Sequence, residues 1–277
     1  MVRAPPARTG DRRPQHPHSL KRSRSRSMHR AEETINIIQY NVHKSKDQVM
    51  RALNAVLRPD YHHIVAIQEP WRNPRMHTTI RPANYELAYP SNAKTRACFY
   101  VSKHLDAQRW KITERSPDLI TLSIELEDRK LHIHNCYNEP PRSTTSQARG
   151  VLDLLPAALA EPGEHLLVGD FNLHHPFWGG STVLVQHALA DALIDITEQA
   201  QLQLTLPPGT VTWQSRQSES TLDLAFATEW IAQRLLQCQP HEEVNSDSDY
   251  IPIITSILAA PIARREPRAQ RAWKRTD

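Results

Sequence analysis

Short apolar runs typical of β-strands outnumber the helical patterns throughout residues 34–258. Several of these runs are separated by only a few residues, as 119–126 and 131–136 are, and this spacing is typical of antiparallel hairpins. The pattern excludes a simple alternation of parallel strands and helices, and it favours two packed sheets with helices outside. The predicted strands are 34–40, 64–68, 85–89, 97–101, 119–126, 131–136, 166–169, 211–213, 222–227 and 251–258, and the predicted helices are 47–58, 147–159, 184–202 and 229–237.

The two ends of the chain differ in composition from the segment between them. Residues 1–30 hold nine Lys/Arg and one acidic residue with almost no large apolar side chains, which predicts a disordered basic arm. Residues 261–277 hold six Lys/Arg and two acidic residues and predict a second basic, disordered tail. Residues 31–260 carry a net charge of about −8 and predict the folded domain. Basic tails suit a polyanion such as nucleic acid, although some only keep a protein soluble.

Targeting signals and cysteines limit the class of protein further. No apolar run approaches the roughly 18–20 residues of a membrane span, and the basic N-terminus lacks the apolar stretch of a signal peptide. Cys98, Cys136 and Cys238 are far apart and form no paired motif, so we expect neither a zinc site nor a disulfide framework. Cys98 and Cys136 lie in apolar strand-like segments, and we expect them to be small buried side chains. We therefore expect a soluble intracellular protein without a membrane partner. The basic run 21–27 is typical of a nuclear address or a nucleic-acid arm.

Polar side chains lie at the ends of several predicted strands. A rigid sheet positions such side chains, and the adjoining loops leave them open to a ligand. If these ends converge on one rim, their oxygens form a site for a hard cation such as Mg²⁺ or Mn²⁺, which phosphodiester hydrolysis requires. The alternative for each residue is ordinary turn formation, which Asp and Asn favour. The residues are Asn41, Glu69, Tyr137, Asn138, Asp170, Asn172, Asp223 and Asp249.

Six short segments contain these residues in a fixed order. They are Gln39-Tyr40-Asn41-Val42, Ile67-Gln68-Glu69-Pro70, Cys136-Tyr137-Asn138, Gly169-Asp170-Phe171-Asn172-Leu173-His174-His175-Pro176, Ser220-Thr221-Leu222-Asp223-Leu224 and Ser248-Asp249-Tyr250-Ile251-Pro252-Ile253. Any one of them is a weak signal, but six in order are specific. Together they resemble the endonuclease/exonuclease/phosphatase superfamily, and more narrowly the endonuclease domain of non-LTR (LINE-type) retrotransposons.

The resemblance implies an α/β (α+β) fold, a four-layered sandwich of two mixed β-sheets flanked by helices. It also implies a hydrolase that uses Mg²⁺, or Mn²⁺, to cleave DNA, which suggests the nucleus as its location. Glu69 would bind the cation, with Asn41 and Asp249 nearby. The sequence leaves the oligomeric state open.

The resemblance also implies catalytic roles. Asp170 would orient or activate the attacking water, and Asn172 would hold the scissile phosphate or the transition state. Tyr137 would contact the phosphate or help the leaving group. Asp223 would orient a histidine that follows the last aspartate, Asp249, of the family pattern.

One position departs from the family pattern, because Tyr250 stands where the family has that histidine. A histidine is a strong donor that can be charged near neutral pH, whereas a tyrosine hydroxyl is neutral with a pKa of about 10. Losing one preorganised donor costs on the order of 10²–10³ in rate. Three hypotheses therefore stay open: an active DNA endonuclease, an impaired remnant that binds metal or nucleic acid, and another superfamily hydrolase such as an abasic-site endonuclease or a phosphatase.

Overall fold

The computed structural model describes residues 33–55, 64–92, 94–181, 183–241 and 248–259. Within them, two six-stranded mixed sheets form the centre of the domain, ordered β13-β14-β1-β2-β4-β3 and β5-β6-β7-β8-β12-β9. The strands are β1 Glu33–Asn41, β2 Ile64–Gln68, β3 Tyr85–Ala88, β4 Ala97–Ser102, β5 Trp110–Ser116, β6 Leu119–Glu125, β7 Lys130–Tyr137, β8 Glu164–Asp170, β9 Leu202–Leu204, β10 Trp213–Gln214, β11 Glu219–Ser220, β12 Asp223–Thr228, β13 Leu235–Pro240 and β14 Ile253–Ala259. The helices are α1 Lys46–Ala55, α2 Leu155–Leu159, α3 Pro176–Gly179, α4 Ala188–Gln199 and α5 Glu229–Ala232, and a 3-10 turn at Gly150–Leu154 precedes α2.

Each sheet is antiparallel except for one central parallel pair. β1 pairs in parallel with β2, and β7 pairs in parallel with β8. A parallel pair needs a crossover connection, which the segments containing α1 and α2 supply. The fold class predicted from the sequence is confirmed: two mixed sheets, each with helices packed on its outer face.

Side-chain alternation along the strands separates three apolar layers. On β1, Ile35 and Ile37 face the second sheet, whereas Ile38 and Tyr40 face outward, where α1 covers them. On β8, Leu166 and Val168 point inward and Leu167 points outward into the layer that includes α2 and α4. Burial on both faces explains why these strands are continuous apolar runs rather than half-polar ones.

The structure also corrects parts of the sequence-based interpretation. The helix predicted at 229–237 ends at Ala232, and Leu235–Pro240 instead forms an edge strand beside β14. The helix predicted at 184–202 is shorter, Ala188–Gln199. Strand β5, whose side chains are half-buried or exposed, was missed because it lacks a continuous apolar run.

The predicted basic arm, 1–30, and the predicted basic tail, 261–277, lie outside the described residues. Among the residues that the structure describes, no helix is long and apolar enough to cross a membrane. Cys98 and Cys136 are buried, as the sequence predicts, and Cys238 is buried as well.

Candidate active site

The layer between the two sheets changes from apolar to polar along its strands. Inward positions that begin with Ile35 and Ile37 on β1 continue with Gln39 and Asn41. The same change occurs in the other strands, so one end of the inter-sheet layer is lined by polar side chains. These inward polar residues are Gln39, Asn41, Gln68, Asn135, Asp170 and Asp223, and all of them are buried.

Asn41 and Asp170 join the two sheets at this polar end. The Asn41 amide nitrogen donates to Asp170 Oδ2 at 2.7 Å, although the residues are 129 positions apart. The Asn41 side-chain oxygen accepts from the backbone N–H of His43 at 2.8 Å, which fixes the orientation of the amide. Asp170 Oδ1 accepts from the backbone N–H of Asn172 at 3.1 Å.

Glu69 follows β2 directly and is held by the backbone around it. Its N–H donates to Arg96 O at 2.8 Å, and its carbonyl accepts from Lys44 N–H at 2.8 Å. Its carboxylate contacts the ammonium of Lys44 at 3.1 Å, and the Lys44 side chain is 69% exposed. Glu69 is thus fixed at its backbone, while the partner of its carboxylate extends into solvent.

Asp170 and Asp223 face each other across the β8–β12 pair. Burial raises the pKa of Asp170 to about 7, with hydrogen bonds from Asn41 and Asn172 opposing the shift and the charge of Glu69 adding to it. Burial and the charge of Asp170 raise the pKa of Asp223 well above its usual range. A side-chain interaction with Thr212 opposes this increase, but neither buried carboxylate oxygen of Asp223 has a hydrogen bond of good geometry among the described residues. Such an unpaired buried carboxylate is costly and therefore requires an explanation.

Tyr137 and Asn138 follow from β7 onto the same rim. Tyr137 lies beside Asp170 in the β7–β8 register, and its pKa is raised by burial and by the charges of Glu69 and Asp170. Asn138 donates its backbone N–H to Asp170 O at 2.8 Å and its side-chain N–H to Phe171 O at 2.8 Å. Asn172 in turn donates to Asn138 O at 3.0 Å, so the two asparagines brace the loop after β8.

Tyr250 reaches the rim from the segment before β14. Burial raises its pKa, and the charges of Asp170 and Asp223 add to the increase. Its ring packs edge-on against the His43 ring at 6.3 Å between centroids. Asp249 differs from its neighbours because its side chain is exposed, and its carbonyl accepts from Gln214 N–H at 2.7 Å. The structure therefore half-buries Tyr250 and leaves the side chain of Asp249 in solvent.

Unusual backbone conformations cluster at this rim. His43, Lys44, Glu69 and Asn172 have φ between 44° and 58°, a region that non-glycine residues rarely adopt. Strain of this kind persists where the surroundings over-determine it, and it concentrates at functional sites. Gly169, with φ of 147°, lies so close to β7 that a Cβ there would come within 1.9 Å of Cys136 O. Only glycine permits the approach that places Asp170 beside Tyr137.

Three buried amides beneath the rim were missed by sequence reasoning. Gln68 donates to Asn135 Oδ1 at 2.6 Å, and Asn135 donates to Ile67 O at 3.0 Å and to Cys98 O at 2.8 Å, all between the two sheets. Gln39 donates to Leu224 O at 3.2 Å across the same layer. Their signal in the sequence is an amide at an inward position of an otherwise apolar strand. They hold the sheets in register below the site.

The residues at the rim fit a divalent cation. The available donors are the Glu69 carboxylate and the Asn41 amide oxygen, the kinds of ligand that Mg²⁺ prefers. In the described part of the chain, no three His, Cys, Asp or Glu side chains form a ready-made metal site. A cation here would therefore rest on Glu69 with the Asn41 amide oxygen, and it would displace the exposed Lys44 ammonium.

Comparisons with known proteins agree with this architecture. Residues 131–254 match the model of a family described as endonuclease-reverse transcriptase. The endonuclease domain of TRAS1, a telomere-specific non-LTR retrotransposon, superposes with a TM-score of 0.61 at 16% identity, covering 80% of this chain and 98% of that one. No curated protein sequence matches the chain.

Two further structures share the fold with different enzymes. The AP endonuclease LMAP from Leishmania major has a TM-score of 0.60 at 14% identity, covering 82% of this chain and 88% of that one. A 3′ phosphatase, NExo from Neisseria, bound to a product DNA hairpin, has a TM-score of 0.61 at 13% identity, covering 80% and 99%. The resemblance inferred from the six segments is therefore confirmed at the level of fold and family model.

Proposed function

For a chain with the fold of the endonuclease/exonuclease/phosphatase superfamily and a segment that matches the endonuclease-reverse transcriptase family, we propose the function of a Mg²⁺-dependent DNA endonuclease of retrotransposon origin. The observation that carries the proposal is the pairing of Asp170 with Asn41 across the sheets, beside the unpaired carboxylate of Asp223. Buried carboxylates left without partners suit a site that awaits a cation and a phosphate rather than a stable core.

In this proposal, Glu69 and Asn41 hold the cation, with Asp249 able to join them only if its exposed side chain turns inward. The cation supplies charge neutralisation at the phosphoryl oxygens. Asp170 accepts the proton of the attacking water, because a general base works best when its pKa is near the working pH, and that of Asp170 is about 7. Mn²⁺ presents the same preference for oxygen and can replace Mg²⁺ in a test.

The remaining rim residues hold the phosphate. Asn172 keeps a second side-chain N–H for a phosphoryl oxygen after its bond to Asn138 O. The Tyr137 hydroxyl contacts the phosphate or the leaving oxygen from the β7 side. The Tyr250 hydroxyl is a neutral donor at the opposite side, and Asp223 orients it by accepting a hydrogen bond on cation and substrate binding.

Tyr250 also favours a second candidate function, a domain that binds metal or nucleic acid with little turnover. A neutral hydroxyl with a raised pKa stabilises developing negative charge less well than an imidazolium. The fold-level similarity to an AP endonuclease and to a 3′ phosphatase supplies a third candidate, hydrolysis at abasic sites or at 3′ phosphates. We also propose a nuclear location, because the proposed substrate is DNA.

Nicking of supercoiled plasmid in the presence of Mg²⁺ tests the proposal, with wild type, Asp170→Asn, Tyr250→His and Tyr250→Phe compared. The proposal expects nicking by wild type, its loss in Asp170→Asn, and a faster rate in Tyr250→His. If only Tyr250→His nicks, the impaired-remnant candidate is correct. Parallel substrates with one abasic site or one 3′ phosphate identify the third candidate by a faster rate than on intact DNA.

A further inference from the structure

Arg96 contacts both sides of the candidate active site. It lies directly before β4, and its carbonyl accepts the Glu69 N–H at 2.8 Å. Its guanidinium carbon lies 4.8 Å from the centre of the Tyr137 ring, which is cation–π distance. One residue thus links the predicted cation ligand, at the end of one sheet, to the predicted phosphate contact, at the end of the other.

The guanidinium is itself fixed by two carboxylates. Its Nε and Nη2 donate to the two oxygens of Asp118 at 2.6 and 2.7 Å, a bidentate pair, and its Nη1 lies 3.2 Å from Glu139 Oε2. Asp118 also accepts the Tyr137 N–H on its carbonyl at 2.9 Å. The planar group therefore has a defined orientation, and each of its three nitrogens already contacts a protein carboxylate.

We propose that Arg96 is a positioning residue for Tyr137: anchored by Asp118 and Glu139, it fixes the face of the Tyr137 ring so that the hydroxyl is aimed at the site. The effect of Arg96 on catalysis rests on the proposed function. The fixed orientation of the Tyr137 ring does not depend on it. A lysine cannot reproduce the arrangement, because an ammonium neither forms the bidentate pair nor stacks as a plane.

The catalytic consequence is tested with Arg96→Lys, Arg96→Met, Tyr137→Phe and the double variant Arg96→Met/Tyr137→Phe. The inference expects Arg96→Met to lower kcat by about 10–100-fold, a size typical of groups that orient active-site residues, with KM for DNA changed less than kcat. In the Tyr137→Phe background the same substitution should have little further effect, because the hydroxyl it positions is gone. Additive losses in the double variant would overturn the inference.

The structural consequence is measured without catalysis, by ¹⁹F NMR of protein labelled with 3-fluorotyrosine. The Tyr137 signal is identified by its loss in Tyr137→Phe. Arg96→Met should shift or broaden it. The matched control is Arg142→Met, at an exposed arginine that lines one cleft together with Arg96 and Tyr137, and it should leave the signal unchanged. An unchanged Tyr137 signal in Arg96→Met overturns the inference even if wild type fails to nick DNA, and failure of wild type to nick counts against the proposed function alone.

Discussion

Two clusters of buried polar side chains lie at opposite ends of β8 and on its opposite faces. Asp170, the last residue of the strand, belongs to the carboxylate site between the sheets. His165, near its start, belongs to a cluster of three stacked imidazoles on the outer face, with ring centroids 5.0–6.2 Å apart. The other two rings come from β7 and belong to His132 and His134.

In the histidine cluster every ring nitrogen has a partner. His165 Nε2 donates to Glu161 O at 2.8 Å, so its Nδ1 accepts from His134 Nε2 at 3.0 Å. His134 Nδ1 then accepts the Thr121 hydroxyl proton at 2.9 Å. His132 repeats the pattern, donating to Pro162 O at 3.2 Å and accepting from the hydroxyl of β6 Ser123 at 2.8 Å. For His134 and His165 this pattern matches neutral imidazoles, which their lowered pKa values favour.

The comparison teaches how to distinguish a structural cluster from a functional one. Both are rich in titratable groups and both are buried. Every ring nitrogen of the histidine cluster has a partner within the fold, which stabilises the fold and leaves no ring nitrogen for a ligand. The site instead leaves both Asp223 oxygens without a hydrogen bond of good geometry, a cost that protonation or a ligand relieves.

The largest expected effect is on catalysis at the carboxylate site. Asp170→Asn should reduce the nicking rate about 10²–10⁴-fold, the range typical of removing a general base. The free energy of unfolding at pH 8 should not fall, because the substitution removes a buried charge that faces Asp223. Plasmid nicking rates measure the loss of activity, and urea unfolding curves measure the free energy of unfolding. A variant that loses stability as well as activity would assign Asp170 a structural role.

Removing one imidazole should lower stability and leave activity unchanged, the opposite of what is expected for Asp170→Asn. His165→Ala leaves the His134 N–H and the Glu161 carbonyl without their partner, and it should lower the free energy of unfolding by about 2–4 kcal/mol. Activity per folded molecule should stay at the wild-type level. His104→Ala, at an exposed histidine, is the matched control and should change stability by less than about 0.5 kcal/mol. Loss of activity without loss of stability in His165→Ala would contradict the comparison.

The two clusters should respond to pH with opposite signs. Burial lowers the pKa of His134 well below its usual range, and it lowers that of His165 as well, so their stabilisation is complete above the unfolded pKa of about 6.5 and is lost as pH falls below it. The raised pKa values of Asp170 and Asp223 act the other way, since their contribution is complete below about pH 3.9 and is lost as pH rises, for Asp170 through about 7.

Between about pH 4 and 6.5 the two contributions therefore oppose each other in wild type. In Asp170→Asn the opposing contribution of Asp170 is absent. Its free energy of unfolding should therefore fall on acidification by up to about 1.4 kcal/mol per pH unit more than that of wild type. Urea unfolding at pH 4.5, 5.5 and 6.5 measures the slopes. Equal slopes for wild type and Asp170→Asn would show that Asp170 is ionised in the folded protein over this range.

The smallest expected effect is stabilisation by the cation. Mg²⁺ at ten times its dissociation constant should add about 1.4 kcal/mol to the free energy of unfolding of wild type. The increase should disappear in Glu69→Gln and persist in Asp195→Asn, which removes an exposed carboxylate of α4. Isothermal calorimetry supplies the dissociation constant. An equal Mg²⁺ effect in all three proteins would remove Glu69 from the predicted ligands.

The sequence identified several residues that the structure brings together at the rim, because each lies at a strand end that its neighbours define. Each of four rim residues ends or directly follows an apolar strand, a pattern that can be recognised in the sequence alone. These residues are Asn41, Glu69, Tyr137 and Asp170. The edge strand Leu235–Pro240 was not legible, because its half-exposed residues also suit a helix and only pairing with β14 decides between the two.

By itself, the sequence determined the strand-rich class and the order of polar residues along the chain. These follow from side-chain alternation and the burial of apolar surface, which are properties of neighbouring residues. Only the tertiary structure decided that Asn41 meets Asp170, that Asp223 faces Asp170 without a partner, and that Asp249 points to solvent. Those outcomes depend on sheet register and on contacts between residues more than a hundred positions apart, such as Asn41 with Asp170, which no local pattern encodes.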